Sequence, residues 1–251
     1  MKKLTLLIFT TLLIISLAAC SSVATSSVES TASTESQNTT PSTSAATESI
    51  TAVEPTSADT VLADTHEQPD DYIWNSEDEV LITLSGATGS ADGGGVTVVD
   101  NRITIHQAGT YRLNGTLMDG QVIVDTTDKE TVRLILDGVE ITSNNTSPLF
   151  VSKAEKVILI LPENSKNTLT DGAAYTLLDA EENEPNAAIF SKADLTIYGS
   201  GELIVNANYM DGITSKNGLL INGGTISVNA VDDGIRGKNY LVVKDGNITI
   251  N

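Results

Sequence analysis

Two acidic turns near the end of the chain hold the residues best suited to chemistry. Asp211-Gly212-Ile213 recurs 22 residues later as Asp233-Gly234-Ile235, and Asp232 adds a third carboxylate to the second turn. Like charges placed side by side raise one another's pKa unless a cation lies between them. Calcium suits such a place in an exported protein, because it binds six to eight oxygens at about 2.3–2.6 Å. The pattern predicts a calcium site of Asp211, Asp232 and Asp233, with Asn208 as a further oxygen donor.

Other interpretations of the same residues stay open. Asp-Gly and Asn are also the residues that tight turns favour, so the carboxylates could be ordinary solvated turn residues. Arg236 lies close enough to the second turn to act as the base of a β-eliminating lyase, or as a counter-ion to Asp232 or Asp233. The lysines that recur in the same repeats could take the basic role as well, or could form an exposed row that discourages edge pairing; they are Lys192, Lys216 and Lys238.

The elements that carry these turns are short strands in a repeat. The stretches that begin at Asn206 and Asn229 have matching sequences, in which apolar residues alternate and Gly or Asn recurs every five or six residues. Alternation with period two between turn signals is typical of β-strands. A repeat of this length is one supersecondary unit that must stack on its neighbours. We therefore predict an all-β fold, a right-handed parallel β-helix with about 22 residues in each coil.

The N-terminus carries an export signal. Lys2 and Lys3 precede an apolar run from Leu4 to Leu17, and Ala18-Ala19-Cys20 follows. This arrangement is typical of a signal peptide, and the run is short for a membrane span. The sequence Leu-Ala-Ala-Cys resembles a bacterial lipobox, in which Cys20 is lipidated; an ordinary secretory cleavage site is the alternative. We expect an extracellular protein that is anchored to the bacterial cell membrane only through its lipid.

The rest of the chain divides by composition. Residues 1–19 form the predicted lipoprotein signal peptide, and 20–75, rich in Ser, Thr and Glu, form a predicted disordered tether. Residues 76–142 carry looser strand signals and are predicted to be an N-terminal β cap with the first strands. The coils of the helix are predicted over 143–251. The last coil is expected to be incomplete, as in a fragment.

Composition excludes several classes of function. The formal charge is −19, and removal of Lys2 and Lys3 leaves 12 basic residues against 33 acidic ones, a charge of −21. Such a surface repels nucleic acid and anionic lipid. One cysteine permits no internal disulfide, and two histidines leave little for a triad or a zinc site. Only 4% of the residues are aromatic, so stacking on neutral sugars is disfavoured. We expect a monomer.

Several segments together resemble a known family. AGTYRLNGTL, VRLILDGVEIT, NTLTDG, EPNAAIFSK, LTIYGSGELIVNANYMDGI and NAVDDGIRGK are similar to the calcium-binding parallel β-helix family of bacterial surface carbohydrate-binding lipoproteins. The resemblance covers about Val80 to Asn251. It implies a pectate-lyase-like fold, binding of cellulosic or polygalacturonate material, and calcium at Asp211, Asp232 and Asp233. Asp171 of NTLTDG is a further metal ligand that the resemblance implies.

Three hypotheses about function follow. The first is a non-catalytic surface protein that binds acidic polysaccharide through calcium. The second is a pectate-type polysaccharide lyase that acts by calcium-assisted β-elimination, with Arg236 or one of the lysines as base. The third is an adhesive or structural surface module that calcium makes rigid.

Overall fold

The structure, a computed structural model, describes residues 65–177 and 184–251, and its described part is all β. The only helical element in these residues is a 3-10 turn, Ser76–Asp78, whose N-terminal Asn75 side chain accepts a hydrogen bond from the Glu77 amide. None of the described helices is long and apolar enough to cross a membrane. The strands in chain order are β1 (Glu79–Gly86), β2 (Gly89–Ala91), β3 (Val96–Val99), β4 (Arg102–Ile105), β5 (Gly109–Leu117), β6 (Gln121–Asp125), β7 (Val132–Thr142), β8 (Leu149–Lys153), β9 (Lys156–Leu161), β10 (Lys166–Thr170), β11 (Ala187–Ser191), β12 (Asp194–Asn206), β13 (Asp211–Ser215), β14 (Gly218–Asn229), β15 (Ile235–Gly237) and β16 (Tyr240–Ile250).

The strands form two sheets between which the chain alternates. Sheet A has the order β16-β14-β12-β10-β7-β5-β1-β2, with β9 paired to β12 and β7, and sheet B has the order β15-β13-β11-β8-β6-β4-β3. β2 and β3 pair antiparallel to their neighbours, and the other pairs are parallel. Each repeat of the chain therefore adds one layer to both sheets.

Equivalent residues of successive repeats lie beside each other in the sheets. In sheet B, one aliphatic row runs through six strands: Ile103, Val122, Leu149, Ile189, Ile213 and Ile235. The first five of these side chains are fully buried, and the sixth is half-buried. Ile189, Ile213 and Ile235 thus occupy equivalent positions in three successive layers. The row buries apolar surface between the two sheets, and each Å² of buried apolar surface stabilises the fold by about 25 cal/mol.

Glycines mark the bend in the long strands of sheet A. Gly199, Gly223 and Gly246 have φ values of 117°, 128° and 120°, a region that side chains rarely enter. A Cβ on Gly223 would lie 2.2 Å from the carbonyl oxygen of Gly199 in the neighbouring strand. Glycine is therefore required here both by the backbone conformation and by the close approach of the layers.

The N-terminal arm, residues 65–75, packs on the outer face of sheet A. Trp74 covers a small apolar cluster of Ile135, Ile158 and Ile160. The Tyr72 ring lies 4.2 Å, centre to centre, from the ring of Tyr198. Residues 65–75 thus belong to the packed part of the protein, whereas the sequence prediction placed them in the disordered tether. The reason is that this segment contains aromatic rings, which pack on outward-facing isoleucines of sheet A and bury them. The Ser- and Thr-rich sequence before it has no aromatic residue after the predicted signal peptide.

Ion pairs fix the same arm. Lys156 donates to both carboxylate oxygens of Asp71 at 2.7 Å, and both side chains are largely buried. Arg133 donates to the backbone carbonyls of Asp70 and Asp71. At the far end, the Tyr240 hydroxyl donates to the Thr65 carbonyl at 2.6 Å. The arm therefore crosses several strands of sheet A and ties them together.

We predict that Trp74→Ala lowers the free energy of unfolding by about 2–3 kcal/mol, somewhat less than for a fully buried aromatic, because Trp74 is half-buried. Urea denaturation measures the change. Ile73→Ala is the matched control, since the Ile73 side chain is 71% exposed and its removal should change stability by less than about 0.5 kcal/mol. Equal effects of the two substitutions would show that the arm does not stabilise the sheet.

Candidate functional site

Asp211 is the first residue of β13, and Asp233 lies two residues before β15, the neighbouring strand in sheet B. Ile213 pairs with Ile235, and the Gly212 amide donates to the Asp233 carbonyl at 2.8 Å. The predicted stacking of the two acidic turns is therefore confirmed. The Asp211 side chain is completely buried, whereas that of Asp233 is 54% exposed.

The guanidinium of Arg236 is shared between these two carboxylates. Its Nη2 lies 2.8 Å from Asp211 Oδ2, and its Nη1 lies 3.5 Å from Asp233 Oδ2. One interpretation of the sequence made Arg236 a counter-ion of Asp232 or Asp233. In the structure its shorter contact is with Asp211, one layer away, because the side chain points back along the stack. Two stacked acids thus hold one cation between them.

Neutral groups complete the surroundings of the Asp211 carboxylate. The Thr214 hydroxyl donates to Oδ2 at 2.9 Å, and the Asn186 amide lies 3.4 Å from the same oxygen. Burial raises the pKa of Asp211, while the Thr214 hydrogen bond and the charge of Arg236 act in the opposite direction. The charge of Asp233 raises the pKa further but ranks behind burial as a cause, so the mutual repulsion expected from the sequence is a minor effect.

Asp171 and Asn208 form a second pair at the ends of β10 and β12. The Asn208 backbone amide donates to Asp171 Oδ1 at 2.5 Å, and its side-chain amide donates to the Asp171 carbonyl at 2.6 Å. The Tyr175 hydroxyl donates to Asp171 Oδ2 at 2.6 Å, and its ring stacks on Tyr209. Burial raises the pKa of Asp171 against these hydrogen bonds. Hydrogen-bond donors surround this carboxylate, which suits a structural role in holding the loop after β10.

The predicted metal ligands therefore meet in two pairs, Asp211 with Asp233 and Asp171 with Asn208. Asp232 joins neither pair through a side-chain contact; its backbone amide donates to the Met210 carbonyl, and its side chain is exposed. Across residues 65–177 and 184–251, no three His, Cys, Asp or Glu side chains converge in a way that could hold a metal ion. The Asp211 and Asp233 pair does attract a cation, because Arg236 occupies that place. An ion there would have to displace the guanidinium, which is possible because the Arg236 side chain is 43% exposed.

The predicted lysine row lies beside this pair on sheet B. The backbone amides of Lys192, Lys216 and Lys238 each donate to the strand of the preceding layer, so the three residues occupy equivalent positions. Glu184 pairs with Lys192 at 3.1 Å and also with Lys216. Lys238 forms no ion pair with the residues that the structure describes. Lys216, Arg236 and Lys238 line an open cavity of about 410 Å³.

A second cavity, of about 610 Å³, lies between the N-terminal arm and the edge residues of β7 and β9. Its charged groups are largely paired with one another: Lys156 with Asp71, Lys129 with Glu155, and His66 with Asp194. These pairs hold the arm in place, and they leave few charged groups in this cavity available to bind a ligand.

Several functional contacts were not predicted from the sequence. The bridge from Glu184 to two lysines joins a loop to strands of two layers, and no repeat in the sequence indicates it. The pairing of Arg236 with Asp211 could have been found from the 22-residue period, since an arginine three residues after Asp233 can reach the layer before it. Cys20, the predicted lipidation site, lies outside the described residues.

We predict that Arg236→Ala destabilises the protein by about 1–3 kcal/mol at neutral pH, because it leaves the buried Asp211 carboxylate without its cation. Without Arg236, the folded pKa of Asp211 rises further above its unfolded value, so the folded state retains a proton that the unfolded state releases. Stability is then lost as the pH rises through that window, and the deficit should be smallest near pH 4.

Urea titrations of wild type and Arg236→Ala at several pH values test this. Lys238→Ala is the control, because that side chain is exposed and forms no described ion pair. A deficit that is independent of pH would contradict the assigned role of Arg236.

Comparison with known proteins identifies the family of the chain. The family model of carbohydrate-binding domain-containing proteins matches residues 99–251, more than half of the chain. A carbohydrate-binding domain-containing protein of Acetivibrio thermocellus is 42% identical over 136 residues, which are 54% of this chain and 48% of that relative. The chain thus spans about half the length of the relative.

A solved structure is also similar. It is titled as the structure of the polysaccharide lyase-like protein from C. thermocellum, gadolinium derivative. The two share 38% sequence identity with a TM-score of 0.67, over 68% of this chain and 70% of that one. The match to the family model extends over both sheets and includes the stacked acidic turns, and the chain belongs to the family of carbohydrate-binding domain-containing proteins.

Proposed function

We propose that this protein is a non-catalytic module of the bacterial cell surface that binds acidic polysaccharide through calcium. The observation that carries the proposal is the convergence of two stacked carboxylates, Asp211 and Asp233, on one cation. A chain with a net charge of −19 repels a polyanion unless cations mediate the contact. Membership of the family of carbohydrate-binding domain-containing proteins supports a carbohydrate ligand, and the paired carboxylates of Asp211 and Asp233 support a calcium ion.

The proposed function goes with a particular fold. We infer a right-handed parallel β-helix with an N-terminal cap over 76–142 and coils over 143–251. Parallel pairing of successive repeats in both sheets supports the helix, and so does the likeness to a polysaccharide lyase-like protein. The antiparallel strands β2 and β3 at the N-terminal end of the sheets support the cap, because they cover edges that would otherwise be open.

Asp211 and Asp233 would hold the calcium, with the exposed Asp232 and turn carbonyls as further oxygen donors. A bound calcium ion supplies positive charge that bridges the protein carboxylates and those of a sugar acid. Asp171 and Asn208 are the second proposed location. Hydrogen-bond donors occupy the oxygens of Asp171, so this pair offers fewer free ligand atoms than the first.

The proposed location of the protein is outside the cell. Cys20 would carry the lipid, and the Ser- and Thr-rich segment after it would hold the folded part away from the membrane. Polygalacturonate and cellulosic material are the ligands we propose, with the protein acting as a monomer and without nucleic acid as a partner.

A polysaccharide lyase is the second candidate, because the similar solved structure is titled polysaccharide lyase-like. Arg236 is a poor base for β-elimination, since its guanidinium is bound to two carboxylates and does not lose its proton in proteins. Binding without catalysis is therefore the function we favour. A third candidate is a structural module in which calcium only raises the melting temperature and no sugar binds.

Binding to polygalacturonate tests the proposal directly. We predict that the wild-type chain is retained on immobilised polygalacturonate in calcium and is released by EDTA. Asp233→Asn should weaken the calcium-dependent retention about tenfold or more, because one of the two shared carboxylates is lost. Glu140→Gln removes an equal charge from an exposed position on β7 and serves as the matched control. Retention that EDTA leaves unchanged would contradict the calcium mechanism.

Incubation with polygalacturonate and calcium separates binding from cleavage. We expect no ultraviolet absorbance from unsaturated uronides, because the guanidinium of Arg236, the predicted base, is bound to two carboxylates and keeps its proton. Accumulation of that absorbance with the wild-type chain would show that the protein is a lyase.

A further inference from the structure

The lysine row contains a feature that points to the chemistry of the ligand. Lys192 and Lys216 occupy equivalent positions in neighbouring layers, and one carboxylate, that of Glu184, bridges them. One oxygen of Glu184 contacts each ammonium group. The Glu184 carboxylate thus offsets the repulsion between two stacked lysines.

The next pair in the row lacks such a bridge. Lys238 follows Lys216 by one layer, since its amide donates to the Ser215 carbonyl just as the Lys216 amide donates to the Ser191 carbonyl. Strand spacing in a sheet is about 4.8 Å, so the second pair starts from the same backbone separation as the first. No acidic side chain of the described residues pairs with Lys238, whose side chain is exposed. A carboxylate from outside the chain would therefore find the geometry that Glu184 uses one layer earlier.

The surroundings favour such a ligand. The open cavity beside these lysines is lined by Thr214, Ser215, Lys216, Arg236, Gly237 and Lys238. It has three cationic residues and no acidic one, in a chain with 14 basic and 33 acidic residues. Lys216 already contacts Glu184, and Arg236 contacts Asp211 and Asp233, so Lys238 carries the positive charge of this cavity that no described carboxylate offsets. Such a charge attracts an anion. The cavity volume of about 410 Å³ lies within the range of pockets that bind small molecules, roughly 300–1,000 Å³.

Arg236 adds geometric specificity to the cavity. Before calcium binds, the fully buried Asp211 holds one side of the guanidinium; an ion at the acidic pair would release the guanidinium beside the cavity that Arg236 lines, and the side chain is 43% exposed. A guanidinium has five N–H donors, and the contacts to Asp211 and Asp233 use only part of them. Its planar fork matches a carboxylate better than an ammonium group does. The hydroxyl groups of Thr214 and Ser215 are buried, so they add little direct contact.

We propose that Lys216 and Lys238, with Arg236 beside them, form a subsite for the carboxylate of a sugar acid within a polysaccharide chain. The proposal rests on the proposed function and deepens it, because it names residues that recognise the anion directly. The ligand carboxylate takes the bridging position between Lys216 and Lys238 that Glu184 takes between Lys192 and Lys216.

Calorimetric titration with oligogalacturonate in the presence of calcium tests the subsite. Lys238→Gln should weaken binding about fivefold, the upper range for one exposed ion pair. Lys216→Gln with Lys238→Gln should weaken it further, though not by the simple product of two such effects, because the two lysines share one ligand carboxylate. Lys166→Gln is the matched control, because it removes one exposed lysine from β10 in sheet A, and it should bind as the wild type does. Lys238→Gln removes no described ion pair, so its melting temperature should match that of the wild type.

The choice of ligand separates the possible outcomes. Methyl-esterified oligogalacturonate has the same backbone without the charge, and the lysine substitutions should not change its binding. Dextran sulfate supplies anionic sugars without carboxylates, and an equal loss of its binding in Lys238→Gln would overturn the assignment to carboxylates.

Failure of the subsite is distinguishable from failure of the proposed function. If the wild type binds oligogalacturonate and both lysine variants bind equally well, the subsite is wrong and the proposed function stands. If the wild type does not bind in calcium, the proposed function itself fails, and the subsite fails with it.

Discussion

Stacking of successive repeats in register is the constraint on which the rest of the structure depends. Parallel pairing brings each residue of one repeat beside its counterpart in the next, at a separation of about 4.8 Å. Inside the sheets this produces continuous aliphatic rows, such as the one from Ile103 to Ile235. At the bends it leaves no room for a Cβ, so that glycine recurs at 199, 223 and 246. Outside, the same register places like charges side by side, where they repel one another.

The protein relieves that repulsion in the same manner for both signs of charge. Arg236 lies between the stacked acids Asp211 and Asp233, and Glu184 lies between the stacked bases Lys192 and Lys216. In each case one counter-charge serves two layers. A ligand of the right charge can take over such a position, and this gives the two proposed contacts a common physical basis. In our proposal, the cation enters at the acidic pair, and the sugar carboxylate enters at the next basic pair along the row.

The period of the sequence allowed the strands, their alignment and the stacking of the two acidic turns to be predicted, because register follows directly from a 22-residue repeat. The repeat could not indicate contacts made by segments that have no equivalent in other layers. Trp74 packs on isoleucines more than 60 residues away, and Glu184 reaches the lysines from a loop that interrupts the repeat. The environment of Asp211 was misjudged for a related reason. Repulsion between the two carboxylates can be inferred from the sequence, whereas burial, the largest influence on the pKa of Asp211, depends on the whole fold.

The central claim is that Asp211 and Asp233 form a single cation position, which Arg236 and calcium cannot occupy together. Isothermal titration calorimetry of calcium into wild type and Arg236→Ala tests it most directly. If the guanidinium must leave before the ion binds, its removal should raise the calcium affinity by about tenfold, or about 1.4 kcal/mol. Equal affinities in the two proteins, or an unchanged number of bound calcium ions when Asp211 and Asp233 are both changed to Asn, would contradict the account.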